Sequence, residues 1–165
     1  MILGCGVDLM EIARFEREVA RRGHALIEEL FTPGELAWCR RRRRAAEGYA
    51  MAYAAKEALF KALGTGKAGR MAWHDVDIAW PAGAPRPSIA LAGETAATAG
   101  ALGADAAHVS MTATREHAAA WVVVTARDRD KGQGARDKGQ GKGPASTKPT
   151  EEDGEPDGGV GGDKG

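Results

Sequence analysis

Two acidic residues and one lysine have the types and spacing needed to handle a phosphorylated substrate. Asp8 follows a short apolar segment, and Glu57 and Lys61 lie four residues apart in an alanine-rich segment. Residues four apart share one helix face, so Glu57 and Lys61 could form an ordinary surface ion pair. They could instead offer a carboxylate to a divalent cation and an ammonium group to a phosphate. Asp8 and Glu57 together would supply the one or two carboxylates with which proteins usually bind Mg²⁺.

Two further segments carry groups suited to an anion. Gly64-Thr65-Gly66 could bring backbone N–H groups close to a phosphate, although a glycine after a helix is commonly only a C-cap. In the segment His108 to Thr114, strand alternation puts His108, Ser110, Thr112 and Thr114 on one face. This polar row could hold phosphate, or it could be the solvent face of a half-buried sheet.

Five consecutive arginines, Arg40 to Arg44, create a local positive field that attracts phosphates or acidic partners. Residues 1–126 carry 15 basic and 14 acidic side chains, so this excess of positive charge is local. No zinc-finger spacing or RNA-recognition aromatic motif accompanies the arginines. An acidic protein partner or a charged ligand therefore ranks above DNA or RNA, and we expect no nucleic-acid partner.

The elements that must position these groups are predicted to begin with a strand and three helices. Residues 2–9 predict a buried strand, and the helix after it has Ile12, Phe15 and Val19 on one stripe. Thr32-Pro33-Gly34-Glu35 predicts the start of a helix with a capping box, and this helix would continue into the arginine run. The most strongly indicated helix spans about residues 49–63, because alanine, methionine, leucine, lysine and glutamate favour helix there.

The second half of the folded part is dominated by strands. Alternating apolar residues predict strands at 76–80 and 89–91, with a proline-rich loop between them. A short helix at 94–102 would end at Gly103, and strands at 108–114 and 117–126 would form an antiparallel hairpin. The predicted class is α+β: a small antiparallel sheet packed with a long central helix and shorter helices.

Residues 127–165 differ from the rest in composition and are predicted to form a disordered tail. Eleven of these 39 residues are glycine, so the segment buries too little apolar surface to offset its chain entropy. The folded domain is therefore assigned to residues 1–126. No apolar run approaches the roughly 18 residues of a membrane span, two cysteines make no disulfide framework, and the first residues do not resemble a secretory signal. We expect a cytoplasmic protein with no membrane partner.

Several motifs together resemble those of the holo-[acyl-carrier-protein] synthases, the small type of 4'-phosphopantetheinyl transferase. Gly6-Val7-Asp8-Leu9 with Glu11 and Arg14-Phe15 is similar to the opening of that family, and Phe31-Thr32-Pro33-Gly34-Glu35 to its second landmark. Ala54-Ala55-Lys56-Glu57-Ala58, followed by Lys61-Ala62-Leu63-Gly64-Thr65-Gly66, resembles the signature of the family. His108-Val109-Ser110 with Thr112 resembles a His-Val-Ser stretch found late in the sequences of the family. The resemblance covers residues 2–126 and none of the tail.

The resemblance implies transfer of 4'-phosphopantetheine from coenzyme A to a serine of an apo acyl carrier protein, with release of adenosine 3',5'-bisphosphate. It also implies dependence on Mg²⁺ and a homotrimer with active sites between subunits. Asp8 and Glu57 match the Mg²⁺ ligands, Lys61 a lysine near the pyrophosphate, and His108 a residue at the coenzyme A phosphates. Coenzyme A contacts are implied for Gly64, Thr65, Gly66, Pro87, Ser110 and Thr112, and carrier contacts for Arg14, Arg17, Arg21, Arg41 and Arg44.

The chemistry of the transfer assigns roles to three of these residues. When a serine hydroxyl attacks a pyrophosphate, negative charge must be neutralised at the phosphorus and on the departing phosphate. A metal ion and Lys61 would provide this neutralisation. Glu57, acting directly or through a metal-bound water, is the candidate base for the serine proton. With His108, which the resemblance places at the coenzyme A phosphates, the expected catalytic set is Glu57, Lys61 and His108. The sequence leaves open whether the carrier serves fatty acid or polyketide synthesis.

Two positions depart from the pattern of the family. Ala52 stands where an arginine is common, and Ala113 where a second histidine is common. Losing an arginine removes a fork-shaped phosphate donor. Weaker coenzyme A binding, compensation from Arg40 to Arg44, and a catalytically impaired carrier-binding module all stay open. The intact metal and lysine positions favour an active transferase.

Overall fold

A computed structural model describes residues 1–81 and 83–127 of the chain. The elements confirm the predicted α+β class. In chain order they are β1 (Ile2–Glu11), α1 (Ile12–Arg22), α2 (His24–Leu30), α3 (Pro33–Arg40), α4 (Ala45–Ala62), β2 (Val76–Ala79), β3 (Ser88–Leu91), α5 (Gly93–Ala101), β4 (Ala106–Ala113) and β5 (His117–Thr125). The predicted tail, apart from Arg127, lies outside the described residues.

Within the described residues the strands form two small antiparallel sheets, in keeping with the predicted antiparallel pairing. The larger sheet has the order β1-β5-β4, and the smaller one pairs β2 with β3. The hairpin of β4 and β5 is confirmed, with Ala113 opposite Ala118 at its closed end. Strand β1 adds to the other edge of β5 and places Asp8 opposite Ala120. The first and last strands of the fold are therefore neighbours.

Helix α4 packs directly on one face of the larger sheet because two glycines of β1 allow it. A Cβ atom at Gly4 would lie 2.1 Å from the carbonyl oxygen of Ala62, and one at Gly6 equally close to that of Ala58. Real side chains never approach a backbone oxygen so closely, so only glycine permits this spacing. The contact brings the second half of β1 alongside the last turns of α4.

The corner between α3 and α4 departs from the sequence prediction. Helix α3 ends at Arg40, so it reaches only the first residue of the arginine run. Helix α4 begins at Ala45, four residues before the predicted start, and ends at Ala62. Gly48 makes this corner tight, because a Cβ there would lie 2.8 Å from Cδ of Arg42 and 3.2 Å from the Cys39 backbone. The run of arginines is therefore mainly a turn.

A buried ion pair ties α3, α4 and β2 together. Thr32 and Glu35 form the predicted capping box, in which the Thr32 backbone N–H donates to Glu35 Oε2 at 2.8 Å. Lys56 Nζ lies 2.8 Å from the same oxygen, and both side chains are fully buried. Ile78 N–H donates to Glu35 Oε1, and Lys56 also donates to the Val76 carbonyl oxygen. These bonds satisfy two charges that burial alone would strongly disfavour.

Helix α1 follows the predicted amphipathic pattern, whereas α2 was not predicted. Ile12 and Phe15 are buried and Val19 is half-buried, as the stripe required. Helix α2 is only seven residues long and buries Leu26 and Leu30. Two apolar positions make too short a pattern to distinguish a helix from a loop in the sequence. Among the described helices, none combines the length and apolarity that a membrane crossing needs.

Candidate functional site

The two predicted metal-ligand carboxylates line the same cleft. Asp8 comes from β1 and Glu57 from α4, and the cleft between these elements and α1 has a volume of about 550 Å³. Arg14, Tyr53 and Trp73 are among its other lining residues. Asp8 and Glu57 are 49 positions apart in the sequence, so the contact between β1 and α4 is what brings them together.

Lys61 contacts Asp8 rather than Glu57. Its Nζ lies 2.7 Å from Asp8 Oδ1 and donates to the carbonyl oxygen of Val7 at 3.1 Å. The Asp8 side chain is 14% exposed and that of Lys61 is 49% exposed. The four-residue spacing allowed an ordinary ion pair between Glu57 and Lys61. This pair is not formed among the described residues. The close packing at Gly6 instead gives the ammonium group a carboxylate on the neighbouring strand.

Glu57 is held by a residue that the sequence analysis did not identify. The hydroxyl of Tyr53, one turn earlier on α4, donates to Glu57 Oε1 at 3.1 Å. Burial, followed by the negative charges of Glu57 and Asp8, raises the pKa of Tyr53 above its usual range. The available signal was the spacing of four residues between Tyr53 and Glu57.

The arrangement of oxygens in the cleft fits a divalent cation such as Mg²⁺. Asp8 Oδ1 is occupied by Lys61, whereas Oδ2 is buried and forms no hydrogen bond with the described residues. A buried carboxylate oxygen without a partner is costly, which favours a cation beside it. Within residues 1–81 and 83–127, no group of three or more His, Cys, Asp or Glu side chains is arranged for a metal. Mg²⁺ needs only one or two, because water and phosphate oxygens complete its shell.

The predicted row on β4 lies on the opposite face of the sheet from the cleft. His108, Ser110 and Thr112 are all exposed, and Val109 is buried toward α4, which confirms the predicted alternation. His108 Nε2 lies 3.3 Å from Thr125 Oγ1 of the neighbouring strand. Gly6 and Asp8 face α4 on the other side. One copy of the chain therefore does not bring His108 to Asp8 and Glu57.

The face that carries His108 is not an ordinary polar solvent face. Trp121 of β5 lies between Ser110 of β4 and Val7 of β1 in the strand register. Trp121, Val7 and Leu9 are 56%, 57% and 65% exposed, respectively. We call this surface, defined by Val7, Leu9, Trp121, His108, Ser110 and Thr112, the outer sheet face. It combines exposed large apolar side chains with the polar row.

The glycine turn and the proline loop do not line the cleft. Gly64 and Gly66 have φ angles of +74° and +59° and lie in the exposed turn after α4. The Thr65 hydroxyl donates to the Gly66 carbonyl oxygen at 2.8 Å. Pro87 is buried just before β3. The positive φ angles confirm that this turn ends the helix, as the C-cap interpretation required.

The arginines predicted to meet a carrier protein fall on two elements. Arg14, Arg17 and Arg21 are exposed on α1, where Arg17 pairs with Glu11 at 3.5 Å and Arg21 with Glu18 at 2.7 Å. Arg14 also lines the cleft, so the basic face of α1 borders it. In the turn before α4, Arg41 is exposed, and Arg44 is half-buried and donates to the Arg115 carbonyl oxygen at 3.1 Å.

The structure explains how the chain accommodates alanine at position 52. Ala52 is only 1% exposed and packs in a core cluster with Phe15, Phe31 and Tyr49. The alanine therefore leaves no open phosphate pocket at this point. Arginines of the run Arg40 to Arg44 could compensate for the missing arginine at position 52 in binding coenzyme A. Arg42 is less available for this, because it pairs with Glu47 at 2.8 Å and lies over the Trp38 ring at 4.8 Å from the ring centroid.

Comparison with known proteins agrees with this fold. A sequence model described as the 4'-phosphopantetheinyl transferase superfamily matches residues 4–122. The chain is 44% identical over 125 residues to a holo-[acyl-carrier-protein] synthase of Desulforudis audaxviator, covering 75% of this chain and 93% of that protein. The crystal structure of a holo-[acyl-carrier-protein] synthase from Neisseria meningitidis matches with a TM-score of 0.68 and 28% identity, over 76% of this chain and 99% of that one.

A structure with a bound ligand gives a further match. The Helicobacter pylori holo-[acyl-carrier-protein] synthase in complex with coenzyme A superimposes with a TM-score of 0.63 at 28% identity, over 73% of this chain and 99% of that one. The α+β fold is thus shared with holo-[acyl-carrier-protein] synthases of known structure. The chain belongs to the 4'-phosphopantetheinyl transferase superfamily, and it matches the holo-[acyl-carrier-protein] synthases of that superfamily over nearly their whole length.

Proposed function

We propose that this protein transfers 4'-phosphopantetheine from coenzyme A to a serine of an apo acyl carrier protein and releases adenosine 3',5'-bisphosphate. The observation that carries the proposal is that Asp8 and Glu57 line one cleft while Lys61 pairs with Asp8. The family membership and the similarity to a coenzyme A complex support the choice of substrate. Ala52 is buried and offers no phosphate donor, so the transfer assay is what separates this proposal from the alternative of an impaired carrier-binding module.

The proposed site residues divide the work of phosphoryl transfer between them. Asp8, through Oδ2, and Glu57 would hold Mg²⁺, which when bound neutralises charge on the phosphates. Lys61, half-exposed beside Asp8, would stabilise the developing charge of the departing phosphate. Glu57 is also the candidate acceptor for the proton of the attacking serine, because it is a carboxylate inside the cleft. His108 would contact the coenzyme A phosphates.

We further propose that the protein is a homotrimer, with sites completed by a second copy. In one chain His108, Ser110 and Thr112 lie on the outer sheet face, whereas Asp8 and Glu57 lie on the other side. Exposed large apolar side chains clustered on one surface are typical of a protein interface. Burying the outer sheet face between copies would cover Val7, Leu9 and Trp121 and would bring polar groups of one copy toward the cleft of another. Contacts from Gly64, Thr65, Gly66 and Pro87 to coenzyme A belong to the same proposal.

The basic face of α1 is the proposed docking surface for the carrier protein. Arg14, Arg17 and Arg21 would attract an acidic partner and orient it at the entrance of the cleft, with Arg41 and Arg44 contributing from the turn before α4.

Arg14→Glu should raise the KM for the carrier, most strongly at low salt, because screening weakens the attraction between exposed charges. Arg70→Glu is the control, since Arg70 is exposed and pairs with Glu94 away from the cleft. Equal effects of the two variants on this KM would contradict the docking surface.

The experiment that tests the transfer uses the full chain with Mg²⁺, coenzyme A and a panel of apo carriers from fatty acid and polyketide systems. Mass spectrometry should show one added phosphopantetheine on a carrier serine. No mass shift on any carrier at low salt would contradict the proposal. Carrier binding detected by calorimetry without transfer would favour the impaired module instead.

The two free cysteines, Cys5 and Cys39, suit a reducing compartment, and we infer a cytoplasmic location.

A further inference from the structure

Tyr53 occupies a place in the cleft that the proposed transfer chemistry does not yet use. It lies on α4 one turn before Glu57, and its hydroxyl donates to Glu57 Oε1 at 3.1 Å. Its ring packs against Trp73 with a centroid distance of 5.2 Å and against Phe15 with a centroid distance of 6.0 Å. Both neighbours are themselves anchored, because Trp73 meets Phe60 edge-on at 5.5 Å and Phe15 is buried. The hydroxyl is therefore presented to Glu57 from a fixed aromatic cluster.

We propose that Tyr53 is a positioning residue that fixes the Glu57 carboxylate for the metal ion. The inference rests on the proposed function, since it takes Glu57 as a ligand of Mg²⁺. With Oε1 bound by the phenol, the second oxygen, Oε2, is the one left to meet a cation together with Asp8 Oδ2. Each of the two acidic side chains thus has one oxygen bound by the protein, Asp8 by Lys61 and Glu57 by Tyr53.

The physical reason for this role is the freedom of a glutamate side chain. Glutamate is among the side chains that lose most rotamer entropy when they are fixed, so a free Glu57 would resist being ordered by the metal. A hydrogen bond from a rigid phenol orders the carboxylate in advance. Partners that orient metal ligands in this way typically change metal affinity or activity by about 10–100-fold when they are removed. A phenol suits the task because it keeps its proton at neutral pH and donates in one direction.

The test removes only the hydroxyl. Tyr53→Phe keeps the ring that packs against Phe15 and Trp73, so the melting temperature should stay unchanged. We expect the Mg²⁺ concentration for half-maximal transfer to rise about tenfold, with the KM for the carrier unchanged and the rate restored at saturating Mg²⁺. Tyr49→Phe is the matched control, because Tyr49 lies one turn earlier on α4 in the core cluster with Phe31. It should leave the Mg²⁺ requirement as it is.

A second measurement keeps this inference separate from the transfer itself. Mn²⁺ binding to the full chain with coenzyme A, followed by electron paramagnetic resonance, should be about tenfold weaker in Tyr53→Phe than in the wild type. If the wild type transfers nothing, the proposed function fails, while a weaker Mn²⁺ affinity in the variant would still support the positioning role. Equal Mn²⁺ affinities and equal Mg²⁺ requirements would overturn the inference. A fall in rate that saturating Mg²⁺ does not restore would also overturn it.

Discussion

At the scale of single residues, the site depends on how Asp8 uses its two oxygens. Lys61 takes Oδ1 at 2.7 Å, and Oδ2 stays buried without a hydrogen bond from the described residues. An aspartate used only as an ion-pair partner or helix cap would not leave one oxygen in this state. The same division holds for Glu57, whose Oε1 accepts from Tyr53. Position and bonding together therefore distinguish these carboxylates from ordinary surface acids.

Asp8→Ala and Glu57→Ala should each abolish transfer while leaving the fold intact. Removing a proposed metal ligand should cost more than the roughly 100-fold upper range seen for its supporting partners. Circular dichroism checks the fold, and the mass-spectrometric assay measures the rate. Glu94→Ala is the control, because Glu94 is an acid that pairs with Arg70 rather than lining the cleft. Full activity in either cleft variant would remove the metal assignment.

Lys56→Met should destabilise the protein far more than a surface substitution. The change leaves Glu35 buried without its partner, for which the expected loss in the free energy of unfolding is about 3–5 kcal/mol. Urea unfolding measures the loss, and a double variant with Glu35→Leu should recover much of it. A loss below about 1 kcal/mol would mean that the pair contributes little.

The same variant should also show a characteristic pH dependence. Burial raises the pKa of Glu35, against the opposing pull of Lys56. Without Lys56 the folded protein binds more protons than the unfolded chain above the ordinary glutamate pKa of about 4.3. Stability must therefore fall as the pH rises from that value through the raised pKa of Glu35. Urea unfolding at pH 5 and pH 8 would reveal the difference, and equal stability at both would contradict it.

At the scale of elements, the contact between β1 and α4 assembles the site. Gly4 and Gly6 remove the side chains that would hold strand and helix apart, and Asp8 follows two residues later on the same face. Lys61 then reaches both Asp8 and the Val7 carbonyl oxygen. The Gly-Val-Asp motif thus joins a packing requirement at Gly6 to the proposed metal ligand Asp8.

Gly6→Ala should separate the strand from the helix and damage both stability and activity. Overpacking of this kind costs about 1–3 kcal/mol, and the shift of Asp8 relative to Lys61 should lower the transfer rate. Urea unfolding and the transfer assay measure the two effects. Gly100→Ala is the matched control, because nothing lies within 4 Å of a Cβ at that helical position. The contact would lose its proposed role if both variants behaved alike.

At the scale of the whole molecule, the two faces of the larger sheet have different tasks. One face packs on α4 and supports the cleft, and the outer sheet face exposes Val7, Leu9 and Trp121 beside the polar row. A sheet face with such side chains gains roughly 25 cal/mol for each Å² of apolar surface removed from water. Association through this face would explain why residues such as His108 lie away from the cleft of their own chain.

Trp121→Glu should therefore convert the proposed homotrimer to monomer and abolish transfer. A charge in place of the tryptophan would have to be buried between copies, which is strongly unfavourable. Analytical ultracentrifugation measures the oligomeric state, and the same sample is assayed for transfer. Leu102→Glu is the control, since Leu102 is 47% exposed but follows α5, away from the outer sheet face. A trimer that persists in Trp121→Glu would place the interface elsewhere.

The sequence by itself determined the elements whose signals are local. The capping box at Thr32, the stripe of Ile12 and Phe15, and the hairpin of β4 and β5 were all predicted, because each depends on residues within a few positions of one another. The start of α4 and the short helix α2 were not, because Gly48 packing against the α3 corner and the burial of Leu26 depend on the rest of the chain.

The tertiary structure alone decided which side chains meet. Spacing offered Glu57 as the partner of Lys61, and the glycine contact gave it Asp8 instead. Lys56 and Glu35 became a buried pair, and Tyr53 became the support of Glu57. His108 went to the opposite face of the sheet. The physical reason is that local periodicity sets the face on which a side chain lies, whereas its partner depends on packing between elements distant in sequence.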